Sequence, residues 1–328
     1  MKKLFRFLFQ TIIVFLIVML LFELSYRFSI IDFYKAEFTY LNDTDSIKSK
    51  HVDYLVFGDS FSVAENNYIN VLRKSSNKSF INSGVSGTGI KQVNTFLNRR
   101  LEKYTPKNII YQVYVGNDLA DVDHLTNYNK LPLIRNLYWD ISDVFISSLY
   151  INAKLGQFKQ RKMETDSNSI KESFATDSYN TRSKLYLMSD SSYLYKSITI
   201  TEGFEKRYSI WIKEVREFIE ELSKESRVYI VFIPHCTQVN SFYFNNFKKM
   251  GATFLNEDEF NKIEYGFFEK ASLDLKAYKN VSLINPLEIF NKSDSLDHRL
   301  YYMNDPHLND MGQKVLGDYL KEQLSLNK

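Results

Sequence analysis

The chain has 328 residues, 44% of them apolar and 25% charged, so it can bury a full core and has length for one large domain or two modest ones. A formal charge of +3, spread along the chain, leaves no electrostatic footprint for a phosphate backbone and excludes nucleic acid as an expected partner. Cys236 is the only cysteine, which rules out an intrachain disulfide and a cysteine-rich metal cluster, and the 16% aromatic content reads more simply as coding bias than as a carbohydrate-stacking surface.

Lys2, Lys3 and Arg6 precede an uncharged run from Phe7 to Phe22, apolar on all faces except for Gln10 and Thr11. The run is near the lower length limit for a bilayer span. The following Glu23-Leu24-Ser25-Tyr26-Arg27 has no small-x-small cleavage pattern and no cysteine for lipidation, which favours an uncleaved anchor over a signal peptide. Positive charge on the short amino-terminal flank predicts that this end stays in the cytoplasm and that the chain beyond Glu23 is sent across the membrane. Residues 1–28 are thus read as an anchor and residues 29–50 as a juxtamembrane stem. Residues 51–328 form the main domain, with an insertion at about 121–201.

Strand and helix signals alternate from Asp53 onward. Asp53 to Phe57 is a short continuous apolar strand, followed by a second near Phe80 and Ile81 and a glycine-bearing turn from Asn82 to Gly89. Val93, Phe96, Leu97, Leu101 and Tyr104 recur at helical spacing, Pro106 closes that helix, and Ile109 to Val115 is the next strand, ending at Gly116-Asn117-Asp118. The pattern fades from Asp121 to Thr201. It returns as an amphipathic helix carrying Phe204, Tyr208, Trp211, Ile212, Val215 and Phe218, then a strand from Arg227 to Ile233 stopped by Pro234. A helix over Glu257 to Tyr278, a strand from Val281 to Ile284 and a closing helix from about Asn309 complete the chain. This alternation predicts an α/β three-layer sandwich with a mostly parallel sheet, and in such sheets sites lie at the carboxyl ends of the strands.

Ser60 follows the first strand through Gly58 and Asp59, where a nucleophile should sit, although Asp and Ser are also ordinary helix caps. A base stands ahead of the last helix in Asn304-Asp305-Pro306-His307, with Asp305 spaced to orient His307; an Asp-Pro turn beside a surface histidine is the plainer alternative. Among the other histidines, His51, His124 and His298 have no comparable acidic partner, while His235, at a strand end, is the rival base. The Gly87 backbone N–H and the Asn117 side-chain amide are candidate oxyanion donors, with tight turns as the competing explanation. Gly84-x-x-Gly87-x-Gly89 lacks the dinucleotide spacing and no Walker lysine follows. Asp121, Asp123 and His124 lack a spaced metal-ligand partner, and Cys236 beside His235 fits a buried structural cysteine better than a thiol nucleophile. Neither a metal nor a cofactor is expected.

In their order along the chain, Gly58-Asp59-Ser60, the Ser86-Gly87 turn, Gly116-Asn117-Asp118 and Asp305-x-His307 resemble the four blocks of the SGNH, or GDSL-like, hydrolases. The resemblance covers residues 53 to about 120 and 281 to 324. It implies a flavodoxin-like sheet, Ser60 as nucleophile, the Ser60 and Gly87 N–H groups with Asn117 as the oxyanion hole, and Asp305 and His307 as the rest of a triad. Many members place the acid three residues before the histidine, where this chain has Asn304. The variant here, followed by Leu308-Asn309-Asp310-Met311-Gly312, resembles the membrane-anchored branch that includes polysaccharide O-acetyltransferases and esterases. That resemblance implies an acylated or acceptor glycan and a membrane acyl-donor protein as partners, and the insertion as the determinant of acceptor choice. A non-catalytic glycan-binding or assembly protein on the same fold is the alternative.

Overall fold

The computed structural model describes residues 1–28, 30–43, 48–122, 137, 141, 144–148, 150–151, 179–260 and 262–326. Strands β1 (His51–Phe57), β2 (Phe80–Asn82), β3 (Thr105–Tyr114), β4 (Arg227–Ile233) and β5 (Val281–Ile284) form one sheet in the order β2-β1-β3-β4-β5. All four pairings are parallel. Short continuous runs such as Leu55-Val56-Phe57 and Ile230 to Ile233 are wholly buried, as strands covered on both faces must be. This is the fold class the alternation predicts. The strand order reverses between β1 and β3, so a crevice opens at their carboxyl ends.

The helices are α1 (Lys2–Arg27), α2 (Lys35–Leu41), α3 (Ser60–Val63), α4 (Tyr68–Ser75), α5 (Ile90–Lys103), α6 (Asp118–Asp121), α7 (Thr181–Ser189), α8 (Tyr193–Thr199), α9 (Phe204–Glu221), α10 (Cys236–Val239), α11 (Ser241–Lys249), α12 (Gly266–Leu275), α13 (Leu287–Ser293) and α14 (Asp310–Gln323). One face of the sheet meets α5, α9 and α12. There Phe57 packs on Phe96 and Phe218, and Phe232 packs on Trp211 and Phe267. On α14, a Cβ at Gly317 would lie 2.6 Å from Val71 Cβ, so glycine is what lets α14 close on α4. The aromatic excess is spent largely inside, with Trp211, Tyr68, Tyr111 and Phe57 fully buried.

Three local expectations change. Pro106 does not stop at closing a helix: it lies inside β3, opposite Val52. Pairing of β3 with β4 begins only at Asn108, so the missing Pro106 N–H falls where no neighbour strand requires it. The helix expected from Glu257 begins at Gly266, after a single 3-10 turn at Glu257–Glu259, because the chain crosses Thr199 there and a Cβ at Gly266 would sit 2.4 Å from its carbonyl oxygen. Where a stem was expected, the chain packs on the domain instead. Phe33, Tyr34, Phe38 and Leu41 are buried, Asp32 pairs with buried Arg100 at 3.2 Å, and the Asn42 amide donates to the Asn82 carbonyl at 2.8 Å.

Among the described residues α1 alone is long and apolar enough to cross a membrane, and only 6% of its apolar window is buried. Of the insertion, α7 and α8 are described, and Leu194 and Ile198 of α8 are buried in the core.

One side chain sets α14 against the first strand's loop. Buried Gln313 accepts the Tyr68 N–H at 2.9 Å and donates to the Phe61 carbonyl at 2.9 Å. Replacing it as Gln313→Leu leaves both backbone groups unpartnered, and thermal or urea unfolding should show a loss of about 1–3 kcal/mol. An unchanged midpoint would show that the two groups find other partners.

Candidate active site

β1 ends at Phe57 and the chain turns through Gly58 and Asp59 into α3. Asp59 caps that helix: its carboxylate accepts the Phe61 N–H at 3.0 Å. The capping role that competed for Ser60 is therefore filled by its neighbour, which leaves the Ser60 hydroxyl for other work. Behind the turn, Gln112 Oε1 on β3 accepts the Asp59 N–H and the Ser62 hydroxyl, each at 3.1 Å. A Cβ at Gly58 would meet Ser62 Oγ at 2.3 Å and Gln112 Oε1 at 2.6 Å, so this close approach is what demands glycine. Complete burial raises the Asp59 carboxyl to about 6 against the favourable Phe61 N–H and the nearby His307.

The loop after β2 is bound to that turn. Asn82 donates to the Ser62 carbonyl at 2.7 Å and accepts the Gly84 N–H at 2.9 Å, while the Val85 N–H donates to the Gly58 carbonyl at 2.9 Å. Gly87 then takes φ +75, the left-handed region, with open space where a Cβ would be. After β3, Asn117 precedes α6 as its cap residue, and the buried Asp118 carboxylate accepts the Tyr114 N–H. Burial and the neighbouring Asp59 push the Asp118 carboxyl well up.

The last loop is a short excursion closed at its base. Tyr301 and Leu308 form an antiparallel bridge, and the Asn309 N–H donates to the Leu300 carbonyl at 3.0 Å. Asn309 Oδ1 caps α14 by accepting the Gly312 N–H at 3.0 Å, while its amide donates to the Arg299 carbonyl at 2.8 Å. A Cβ at Gly312 would lie 2.1 Å from the Leu300 carbonyl oxygen. The Leu308-Asn309-x-x-Gly312 pattern is thus the clasp of this loop.

Within the loop, Asp305 Oδ1 accepts hydrogen bonds from His307 Nδ1 and, at 2.8 Å, from the His307 N–H. Asp305 Oδ2 accepts the Asn180 amide at 2.9 Å. With its proton on Nδ1, His307 accepts the Ser60 hydroxyl at Nε2, 2.7 Å away. Phe61 stacks on the imidazole at 4.9 Å between ring centroids. Burial alone would lower the His307 pKa, but the Asp305 carboxylate outweighs it and the net shift is upward. Burial likewise opposes ionisation of Asp305, yet its charge interaction and hydrogen bonds with His307 hold it down at about 2. Asn304, the alternative acid position, supplies no carboxyl, and its buried Oδ1 has no partner among the described residues.

Ser60, Gly87, Asn117 and His307 line one cleft with a cavity volume of about 50 Å³, space for a few water-sized groups. His235 also lines it, but its ring caps α10, with Nδ1 2.8 Å from Thr237 Oγ1, and burial drops its pKa to about 3. His51 opens β1 at the surface, His298 closes a turn with Ser295, and His124 and Asp123 lie outside the described residues. Asp121 is engaged by Arg182 and by the Tyr186 hydroxyl at 2.5 Å. Cys236 is buried, and burial pushes its thiol well up.

Sequence reasoning missed the cleft's outer wall, which comes from the insertion: Asn180, Arg182, Tyr186 and Tyr193. No periodicity or motif marks them. It also missed Gln112, whose only trace is a polar residue inside an otherwise apolar strand.

No protein-family description and no curated protein matches the sequence. Among solved structures, the chain is similar to a catalytic mutant of an acetylxylan esterase from Geobacillus stearothermophilus, with a TM-score of 0.42 and 10% identity over 85% of this chain and 97% of that one. Another mutant of that esterase, described as acting on acetyl-xylooligosaccharides, gives a TM-score of 0.42 at 10% identity over 85% and 97%. A lipase from a goat rumen metagenome gives 0.37 at 14% identity over 83% and 96%.

The electrostatics of His307 can be measured directly. Its imidazole should titrate above 6.5, by NMR, and Asp305→Asn should move the midpoint down, because burial remains while the compensating charge is gone. A midpoint unmoved by Asp305→Asn would mean that the carboxylate does not control the ring.

Proposed function

We propose that the chain is an SGNH-type serine esterase or O-acyltransferase, anchored by α1 with its catalytic domain outside the cytoplasm. Its substrates would be O-acyl groups, acetyl foremost, of a cell-envelope or exported polysaccharide. The observation that carries the reading is the Ser60 hydroxyl 2.7 Å from His307 Nε2, with Asp305 on the opposite ring nitrogen. The four sequence blocks that resemble the SGNH hydrolases supply these residues and the proposed oxyanion donors.

In this reading Ser60 Oγ attacks the acyl carbon as His307 Nε2 takes the hydroxyl proton. Asp305 stays ionised and stabilises the imidazolium without accepting the proton. The Ser60 and Gly87 N–H groups and the Asn117 amide would bind the oxyanion of the tetrahedral intermediate. Collapse breaks the ester bond, and the leaving alcohol carries away the proton from His307. Acyl-Ser60 is then resolved by water in an esterase or by a sugar hydroxyl in a transferase, with His307 again removing the proton. The small cleft suits a short acyl group. A transferase would draw its acyl group from a membrane donor protein, and a glycan would be the acylated substrate or the acceptor. Lys2, Lys3 and Arg6 ahead of the apolar run favour the outward orientation.

Ser60→Ala should reduce hydrolysis of p-nitrophenyl acetate by at least about 10³-fold and abolish labelling by a fluorophosphonate, while the circular dichroism spectrum is unchanged. Retained turnover would sink the assignment. Asn117→Ala should lower kcat by about 10²–10³-fold with little effect on KM. The pH profile of kcat/KM should rise through a limb above 6.5, since only neutral His307 can act as base.

A further inference from the structure

The end of α1 is bonded to the domain. Glu23, buried in the last turns, accepts the N–H groups of Ile146 at 3.2 Å and Ser147 at 2.9 Å. Arg27 donates to Glu23 at 2.7 Å and to the Val144 carbonyl at 2.9 Å. Nearby, Tyr150 stacks on Phe33 at 4.7 Å, so the inner side of this segment is packed. Several of its described apolar side chains are uncovered. Leu137, Ile141 and Val144 stand 57%, 40% and 61% exposed at intervals of four and three residues, a stripe at helical spacing, and Ile151, past a break in the helix at Phe145 and Ile146, is 37% exposed. Phe28 and Ile30, just past α1, are 71% and 74% exposed.

Two further observations say what covers this face. The uncharged run from Phe7 to Phe22, at about 1.5 Å per residue, gives about 24 Å, short of a hydrocarbon core of roughly 30 Å. A short span draws the residues at its end toward the bilayer. Glu23 is fitted to that position, because one guanidinium and two backbone N–H groups compensate its charge.

We propose that Leu137, Ile141, Val144 and Ile151, with Phe28 and Ile30, lie in the boundary between headgroups and acyl chains of the membrane that α1 crosses. The domain is thereby seated on the bilayer in one orientation. The inference rests on reading α1 as an anchor. Burying the stripe in lipid removes apolar surface from water at the end of the span, and the Glu23 and Arg27 bonds fix that surface to the helix axis.

The test uses the full-length protein in vesicles of phosphatidylethanolamine and phosphatidylglycerol, spin-labelled at single cysteines replacing Phe15, Ile141, Val144 or Leu296. Cys236 is buried and does not compete for label. Labels at 141 and 144 should collide with oxygen more than with a water-soluble nickel complex, more shallowly than the label at 15, while the label at exposed Leu296 shows the reverse. Nickel access at 141 and 144 equal to that at 296, with 15 in lipid, overturns the seating and leaves the anchor standing. An aqueous label at 15 removes the anchor and the proposal together. Labels at 141 and 144 shielded from both reagents would place protein there, such as a second copy, and equally overturn it.

Discussion

Asp305 accepts three hydrogen bonds, and their sources explain why the site needs the whole domain. Two come from His307, one from its ring and one from its backbone, so the carboxylate fixes both the tautomer and the path of the loop. The third comes from Asn180, in the described end of the insertion. Burial alone would make this partly exposed carboxylate harder to ionise; His307 reverses that cost, and the same contact raises the basicity of the ring. Remove the carboxylate and the histidine, the loop and the insertion lose their common partner.

The opposite half of the cleft is held by polar groups beneath the sheet's carboxyl edge. Gln112 accepts from the Asp59 N–H and the Ser62 hydroxyl, Ser62 also contacts the Tyr68 hydroxyl at 3.0 Å, and Asn82 clasps the Ser62 carbonyl. These groups are buried, where an unmet partner is expensive and a met one is rigid. Gln313 joins this network to α14, so the loop bearing His307 and the turn bearing Ser60 share one frame. Their 2.7 Å separation follows from that frame and does not depend on chance packing of two mobile loops.

Much of this was legible in the sequence because the governing interactions are short in range. Buried parallel strands must be continuous apolar runs, and the turns after them need glycine, Asp or Asn within a few positions. Ser60, Gly87, Asn117, Asp305 and His307 all fall at such places, and the structure brings four of them to one cleft, with Asp305 bonded to His307 from behind. Asn180 was not legible because its partner is 125 residues away and one amide donor carries no local signature. Gln313 and Gln112 failed for the same reason. The packing of the expected stem was hidden differently: Phe33, Tyr34, Phe38 and Leu41 are scattered over a stretch too short to show a period, and they are buried only by contacts the folded domain provides. α5 ends before Pro106 as expected, but β3 begins at Thr105, earlier than Ile109, because the proline lies where pairing with β4 has not yet begun.

The clasp role of Asn309 and Gly312 also narrows what their motif can say. Residues that close a loop are required whatever ligand the domain takes, so Leu308-Asn309-x-x-Gly312 speaks to architecture more than to substrate. Under the proposed function, substrate choice would belong to the outer wall. There Arg182 is paired with Asp121, and the Tyr186 hydroxyl completes the group, so the rim offers little net charge to a ligand. Under the proposed function, a neutral rim with tyrosines around a small cavity would favour an uncharged ester on a hydroxyl-bearing partner over a phosphorylated or carboxylated one. On the proposed mechanism, hydrolysis and transfer would then differ in what occupies that rim when Ser60 is acylated. An acceptor filling the space between Tyr186, Tyr193 and Arg182 would exclude water from the acyl group of that proposed intermediate, whereas an empty rim would admit it.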